Sequence, residues 1–115
     1  METHRLVLPG DLNQYGFLFG GRLLAWIDEA SWIAATIDFP GRHFVTVAMD
    51  RVEFRHSVRE GTILEIRSTL EKEGNTSATY HVEVTDRHDG TRPIFSTRVT
   101  FVRVDDCGRK VPLHD

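Results

Sequence analysis

The sequence predicts an α+β fold in which one long central helix is wrapped by a curved antiparallel sheet. Residues from about 20 to 38 show the three- and four-residue apolar spacing of a single helix. After residue 45, several stretches alternate apolar and polar residues, as half-buried strands do. Gly-Asn and Asp-Gly pairs separate these stretches and predict tight turns between antiparallel neighbours. Long strands with one apolar face need a cover, and the helix is the element large enough to provide it.

Composition predicts a single globular domain over residues 1–115. Hydrophobic residues make up 40% and charged residues 27% of the 115 positions. The formal net charge of −3 does not favour nucleic-acid binding. Because no run approaches the length of a membrane span and the N-terminus has no apolar signal core, we expect neither membrane insertion nor secretion. The single cysteine, Cys107, excludes an intramolecular disulfide and fits a reducing cytoplasm.

The first third of the chain predicts a short strand, a loop and the helix. Residues 6–8 are an apolar run that ends at Pro9-Gly10, and a loop continues to about residue 17. Five helix residues at spacings of three and four form one apolar stripe: Leu23, Ile27, Ala30, Ala34 and Ile37. The opposite side of the helix, which we expect to be more exposed to solvent, carries Arg22, Glu29 and Thr36. Other positions are mostly apolar, so we expect a helix that is buried over more than one face.

The rest of the chain predicts four long strands and a tail. The strand patterns cover residues 45–55, 63–73, 78–84 and 93–104. Gly74-Asn75 and Asp89-Gly90 predict the turns of two hairpins. Residues 105–115 are a mostly polar segment that we expect at the surface.

Motifs of several common enzyme classes are absent. The sequence has no Gly-x-Gly-x-x-Gly, no Walker-type Gly-x-x-x-x-Gly-Lys and no Gly-x-Ser-x-Gly. Six histidines show no metal-ligand spacing, and none is expected near the helix start: His4, His43, His56, His81, His88 and His114. Of these, His56 at a strand end is the strongest candidate for chemistry. We therefore expect no metal site.

Residues around the helix start are the better candidates. The Gly20-Gly21 pair suits close packing, but free backbone N–H groups at a helix N-terminus also polarise a carbonyl oxygen. Asn13 suits a turn, or a catalytic role. Asp28 has no cation three or four residues away and lies off the polar face. Either it shares a broad solvated face with Glu29, or it meets a partner from elsewhere, and the spacing leaves both open.

Taken together, these residues resemble a known family. The pattern Asn13-x-x-Gly16-x-x-Phe19-Gly20-Gly21-x-Leu23-Leu24-x-x-Ile27-Asp28 resembles the hotdog-fold acyl-CoA thioesterases, in the branch of bacterial and brain-type cytosolic acyl-CoA hydrolases. The resemblance continues through residues 45–54, 74–77, 99–105 and 108–109, so it covers nearly the whole chain. The chain departs from the family at Arg55-His56-Ser57-Val58, where a proline is common, and at Gly61-Thr62, where Gly-Asp is common.

The resemblance implies roles for the candidate residues. Asp28 matches the catalytic carboxylate, as general base on water or as nucleophile, and Asn13 matches an asparagine that the partner subunit contributes. Gly20 and Gly21 match the helix N-terminus that holds the thioester oxygen. The hairpin residues Gly74, Asn75, Thr76 and Ser77 match a segment that runs along CoA, with a plain hairpin turn as the alternative. The implied unit is a homodimer at minimum, and members of the family often form trimers of dimers.

The implied activity is hydrolysis of acyl-CoA to a free carboxylic acid and CoA. Thioester carbonyls lack strong amide resonance, so a carboxylate, a positioned water and a helix-end oxyanion site suffice without a metal or further cofactor. Two alternatives on the same fold are a non-catalytic acyl-CoA-binding regulatory module and a hydratase or dehydratase, which needs a histidine paired with a carboxylate. Three aromatic residues either belong to the core or line and shorten the acyl groove: Phe19, Trp26 and Trp32.

Overall fold

In the computed structural model, five antiparallel strands form one curled sheet around a long helix. The structure describes the backbone of residues 1–115 and every side chain except those at positions 91 and 92. The elements in chain order are β1 (Glu2–Leu6), a 3-10 turn (Pro9–Asp11), α1 (Gly20–Asp38), β2 (His43–Asp50), β3 (Ile63–Glu73), β4 (Ser77–Asp86) and β5 (Asp89–Val104). The strand order β1-β3-β4-β5-β2 makes β1 and β2 the two edges of the sheet. The α+β class and the helix bounds are confirmed.

The core lies between α1 and the sheet. Four of the five predicted stripe residues are buried: Leu23, Ile27, Ala30 and Ala34. Ile37 is exposed, which contradicts the prediction, because Phe39 and Phe44 close that end of the core with their rings 6.0 Å apart. Further faces of the helix are buried through Trp26, Ser31 and Ala35, as expected.

Two strand predictions at the N-terminal half are wrong. The first strand is Glu2–Leu6 rather than residues 6–8, because the polar segment pairs with β3 from Glu2↔Arg67 to Leu6↔Ile63. Strand β2 ends at Asp50, five residues before the predicted end. Arg51 has a φ of 65°, a left-handed conformation that interrupts an extended strand. Residues 51–57 are therefore an exposed loop.

Both hairpins exist, but their turns differ from the predicted ones. Three residues, 74–76, separate β3 from β4, one more than predicted. The turn between β4 and β5 lies at residues 87–88, because Asp86 pairs with Asp89 and places Gly90 inside β5. The Asp86 carboxylate accepts a hydrogen bond from the His88 N–H at 2.9 Å, which stabilises this earlier turn.

The C-terminal tail is anchored to the domain. Leu113 is fully buried, and its N–H donates to the Asn75 carbonyl at 2.9 Å. The guanidinium of Arg42 donates to the Leu113 carbonyl at 2.7 Å. Arg103 donates to the Pro112 carbonyl at 3.1 Å and to the Asp115 carboxylate at 2.8 Å. The tail thus closes the sheet end that contains the β3–β4 hairpin.

Tyr80 is expected to stabilise the folded state at neutral pH and to lose this effect at alkaline pH. Its ring is fully buried, and its hydroxyl donates to the Asp38 carboxylate at 2.6 Å. Burial, then the hydrogen bond and the charge of Asp38, raise the pKa of Tyr80. A raised pKa favours the folded state while tyrosine is protonated, so this stabilisation is lost as pH rises above about 10, the usual tyrosine pKa.

The Tyr80→Phe variant tests this role. We expect urea unfolding at neutral pH to show a loss of about 1 kcal/mol, the value of one hydrogen bond. Above about pH 10 the difference from wild type should shrink, because phenylalanine does not ionise. A difference that stays constant across this pH range would contradict the assignment.

Candidate active site

The N-terminus of α1 presents unpaired backbone N–H groups. The helix begins at Gly20, and the preceding Phe19 makes no side-chain cap. Among the residues whose side chains are described, no acceptor binds the N–H of Gly20 or Gly21, whereas those of Arg22 and Leu23 donate to the Phe19 carbonyl. Such groups carry the positive end of the helix dipole. A carbonyl oxygen placed there would be stabilised as it gains negative charge.

A cleft of about 280 Å³ lies beside this helix end. Its walls come from the loop before α1, the first turns of α1 and the loop after β2: Asn13, Phe17, Leu18, Gly20, Leu23, Phe54, Arg55, His56, Ser57 and Val58. The sequence predicts no histidine near the helix start, and that prediction is wrong for His56, which lines the cleft together with Gly20. The loop of residues 51–57 folds back over the helix end, which an extended strand to residue 55 would not have allowed.

Gly20 has a packing reason to be glycine. A Cβ at this position would lie 3.0 Å from the Phe54 ring, closer than side chains normally approach. Phe54 also stacks on Phe95, with ring centroids 5.3 Å apart, so it cannot retreat freely. At Gly21 the nearest atom to a Cβ would be 4.0 Å away, in the Phe19 ring. Packing therefore explains Gly20, and the oxyanion role of both glycines stays a prediction.

Asn13 holds the loop before the helix. Its side-chain oxygen accepts hydrogen bonds from the Tyr15 and Phe17 N–H groups at 2.9 and 3.2 Å. Its backbone N–H donates to the Phe17 carbonyl at 2.7 Å. The turn-forming role is confirmed. The side-chain NH₂ group donates to no acceptor among the described residues, and Asn13 lines the cleft. This geometry is compatible with a catalytic role for Asn13, which stays a prediction.

Asp28 is held by a hydroxyl rather than by a cation. The Thr46 hydroxyl on β2 donates to Asp28 Oδ1 at 2.6 Å, and the carboxylate is half-buried. Glu29 points the other way, where it pairs with Arg5 on β1. Because β1 and β2 are opposite edges of the sheet, the two carboxylates do not share one solvated face. No ion pair involves Asp28 within the described part of the chain.

Thr46 is the residue that sequence reasoning missed. In the sequence it lies within the predicted strand of residues 45–55, where a threonine is ordinary. The signal was indirect: an uncompensated carboxylate on the helix required a donor from another element. Only the pairing of β2 with β5, which places Thr46 opposite the buried Phe101, shows that this hydroxyl faces the helix.

One chain does not bring Asp28 to the cleft that contains Asn13. Asp28 is absent from the residues lining that cleft. It lies eight residues beyond Gly20, about 12 Å along the helix axis. Each chain thus presents the predicted site in two separate parts. One is the cleft with Asn13 and the N-terminus of α1, and the other is the Asp28 carboxylate beside the edge strand β2.

The β3–β4 hairpin has its own structural explanation. The Gly74 N–H donates to the Ser77 carbonyl at 2.8 Å, and a Cβ on Gly74 would collide with the Ser77 hydroxyl. The Asn75 carbonyl accepts from Leu113, and the Thr76 carbonyl accepts from Arg103. The turn therefore accounts for these residues, and their CoA-binding role remains a prediction from the resemblance.

Of the three aromatic candidates for the acyl groove, one is buried and two are exposed. Trp26 is buried in the core beneath the Arg5 guanidinium, which lies 5.3 Å from the ring centroid. Trp32 and Phe19 are exposed. No group of three His, Cys, Asp or Glu side chains that could hold a metal ion occurs in the described part of the structure. No helix among the described residues is both long enough and apolar enough to cross a membrane.

Comparison with known proteins identifies the family of this chain. The profile of the Thioesterase superfamily matches residues 15–92. An uncharacterised acyl-CoA thioester hydrolase of Bacillus subtilis is 33% identical, over 98% of this chain and 66% of its own length. This chain therefore spans about two-thirds of that relative.

Solved structures of hotdog thioesterases superpose closely. A hexameric thioesterase of Yersinia pestis is 30% identical with a TM-score of 0.88, covering 98% of this chain and 93% of its own. An acyl-CoA hydrolase of Staphylococcus aureus, solved with butyryl-CoA, CoA and CoA disulfide, is 29% identical with a TM-score of 0.85, covering 97% and 67%. With the helix, the sheet order and the profile match in agreement, this chain belongs to the thioesterase superfamily, among the hotdog-fold acyl-CoA thioester hydrolases.

Proposed function

We propose that this protein hydrolyses acyl-CoA thioesters to a free carboxylic acid and CoA, with Asp28 as the reacting carboxylate. The observation that carries the proposal is the hydrogen bond from Thr46 to a half-buried carboxylate on a largely apolar helix. A carboxylate held by a hydroxyl rather than by a cation is unusual on such a helix, which indicates a functional use. The Staphylococcus aureus relative, solved with butyryl-CoA, supports the substrate class.

The chemistry requires three groups around one thioester. As general base, Asp28 takes a proton from water while the water oxygen attacks the carbonyl carbon. As nucleophile, Asp28 attacks that carbon itself, the C–S bond breaks to give an acyl anhydride and the CoA thiolate, and water then hydrolyses the anhydride to the free acid and regenerates Asp28. The carbonyl oxygen gains negative charge next to the Gly20 and Gly21 amides, and the Asn13 NH₂ group orients the thioester or the water. In the general-base route the C–S bond then breaks, and the CoA sulfur receives the proton that Asp28 took from water. We propose no metal or further cofactor, since the thioester is already activated.

The working unit in this proposal is a homodimer at minimum. Asp28 and the Asn13 cleft lie apart in one chain, so a second subunit must supply one of them. Strand β2 is an edge of the sheet with Val45 and Val47 exposed, a surface suited to a second copy. The Yersinia pestis relative is hexameric, which supports a trimer of dimers. We place the protein in the cytoplasm, where the exposed Cys107 would stay reduced.

Thr46 is proposed as the residue that positions Asp28. Replacing it with valine removes the donor and frees the carboxylate to rotate, so we expect kcat to fall about tenfold with KM nearly unchanged. Thr46→Ser should restore most of the rate because it returns the hydroxyl. Thr36→Val is the matched control, since the buried Thr36 hydroxyl has no hydrogen-bond partner among the residues whose side chains are described. Equal losses in both valine variants would indicate a packing effect instead.

The decisive experiment measures CoA release from acyl-CoA of several chain lengths, with product acid quantified in parallel. Equal amounts of acid and CoA support hydrolysis. Saturable binding without turnover would instead identify a regulatory module. Hydration of a 2-enoyl-CoA without CoA release would identify the hydratase alternative, which the position of His56 in the cleft makes worth testing. The His56→Ala variant should keep hydrolytic activity.

A further inference from the structure

The cleft that contains Asn13 also contains a cation. Of the described residues that line this cleft, Arg55 is the one whose side chain carries a permanent charge. The described residues of the same chain contribute no aspartate or glutamate to its walls. The cleft also adjoins the helix start at Gly20, which carries the positive end of the helix dipole. A cleft with this charge distribution favours a ligand that carries a negative charge.

Arg55 has donors to spare. Among the described residues no acceptor takes a hydrogen bond from its side chain, and its ion-pair partner is Glu53, with Nη2 3.8 Å from Oε2. That distance is too long for a hydrogen bond. Both side chains are more than half exposed, so the pair contributes little stability and a ligand can replace it. A guanidinium has five N–H donors in a planar fork that matches a carboxylate.

The rest of the cleft suits a short methylene chain. Five of its lining residues are apolar: Phe17, Leu18, Leu23, Phe54 and Val58. Contact with these side chains removes the methylene groups of an acyl chain from water. The Gly20 amide, which is the candidate site for the thioester oxygen, lies in the wall of the same cleft. An acyl group bound here therefore has apolar walls along its length and a cation within the same space.

The size of the cleft decides which anion of the substrate can reach Arg55. A space of about 280 Å³ is about 8 Å across, and both Gly20 and Arg55 lie in its wall. The pantetheine arm of CoA is uncharged, and when extended it holds the nearest phosphate about 15 Å from the sulfur. A carboxylate at the far end of a four- or five-carbon acyl group lies only about 4 to 5 Å from the thioester carbon. The acyl carboxylate fits the cleft, and the phosphates lie beyond it.

We infer that Arg55 binds the free carboxylate of a dicarboxylic acyl group, so that the preferred substrates are CoA monothioesters of dicarboxylic acids of about four or five carbons. The inference rests on the proposed thioesterase function and deepens it by naming the substrate class. Hydrolysis of such a thioester releases a dicarboxylate and CoA. Arg55 determines specificity by holding the end of the acyl group, and it takes no part in the reaction at the carbonyl carbon.

Glutaryl-CoA and valeryl-CoA test the inference, because their five-carbon acyl groups differ only in the terminal carboxylate. Wild type should show a kcat/KM about tenfold higher for glutaryl-CoA, since hydrogen bonds between charged groups are among the stronger ones. Arg55→Gln should lose about tenfold on glutaryl-CoA and stay within about twofold of wild type on valeryl-CoA. Arg55→Lys keeps the charge and should keep part of the preference. A blank without enzyme corrects for spontaneous hydrolysis.

Arg59→Gln is the matched control. The Arg59 guanidinium lies 5.2 Å from the centroid of the Phe17 ring, but Arg59 does not line the cleft. Its removal should leave the ratio of the two kcat/KM values unchanged. Because Arg55 is more than half exposed, Arg55→Gln should keep the melting temperature and elution volume of wild type.

Thioesters of pantetheine, which have no phosphate, separate the two possible anions. With glutaryl-pantetheine, wild type should still exceed Arg55→Gln by about tenfold. If this difference disappears, and Arg55→Gln loses equally on glutaryl-CoA and valeryl-CoA, Arg55 binds a CoA phosphate and the inference is overturned.

Two further results would overturn it: no preference for glutaryl-CoA in wild type, or the same loss of preference in Arg59→Gln. If wild type hydrolyses neither thioester, the proposed function itself fails. Calorimetric titration with glutaryl-CoA and valeryl-CoA then still tests Arg55. Tighter binding of glutaryl-CoA to wild type that is lost in Arg55→Gln supports the inference, and equal affinities overturn it.

Discussion

The Asp28→Asn variant is expected to lose kcat by about 10²- to 10⁴-fold on every acyl-CoA. Asparagine has the same shape and can still accept the Thr46 hydroxyl through its side-chain oxygen. It cannot accept the proton of a water molecule or form an acyl anhydride. Because geometry is kept and only basicity is lost, the effect should appear in kcat, with KM changed little. Steady-state CoA release measures both constants.

Glu29→Gln is the matched control for this prediction. It neutralises the adjacent carboxylate on the same helix, whose partner is Arg5 at the other edge of the sheet. An exposed ion pair contributes little to stability, so activity and melting temperature should both stay near wild type. Asp28→Asn should likewise keep its melting temperature and elution volume. Retained turnover in a correctly assembled Asp28→Asn protein would remove Asp28 from the mechanism.

Mixing two inactive variants is expected to restore activity. Consider a dimer of one Asp28→Ala and one Asn13→Ala subunit. If each active site takes Asp28 from one subunit and Asn13 from the other, the two substitutions fall unequally on the two sites. One site carries both substitutions, and the other combines an intact Asp28 with an intact Asn13. Purified mixed dimers should therefore reach about half of wild-type activity, since a two-fold symmetric dimer has two equivalent sites. The separation of Asp28 from the Asn13 cleft within one chain is the reason for this expectation.

Two differently tagged subunits, co-expressed and purified through both tags, give the mixed species. The same procedure with two Asp28→Ala subunits is the control and should stay inactive. Asn13→Ala also removes the acceptor for the Tyr15 and Phe17 N–H groups, so its melting temperature must be measured alongside. Confirmed mixed dimers with no more activity than either parent would show that each subunit holds a complete site.

Local patterns predicted the elements that depend on short-range information. The bounds of α1 follow from Gly20-Gly21 at one end and Pro40-Gly41 at the other. Alternation predicted β3 over residues 63–73 because its neighbours bury one face continuously. Asp28 and Asn13 were identifiable as candidates because carboxylates on apolar helices are unusual, and because the pattern around them resembles one family.

The errors arose where tertiary contacts decide the outcome. The alternation of Val52 and Phe54 predicted strand, but the left-handed Arg51 turns the chain so that Phe54 covers Gly20. The same turn brings His56 to the helix start, which no linear spacing could show. Thr46 was hidden in a strand until the sheet order placed it against the helix.

The position of β5 in the sheet has a consequence for biosynthesis. β5 is made after the other four strands of the sheet, yet it lies between β4 and β2 and provides the backbone partner of β2. While the chain emerges from the ribosome, β2 and the apolar side chains of α1 must wait for residues synthesised some fifty positions later. Folding of this domain is therefore expected to complete only after residues near Leu113 have emerged from the ribosome.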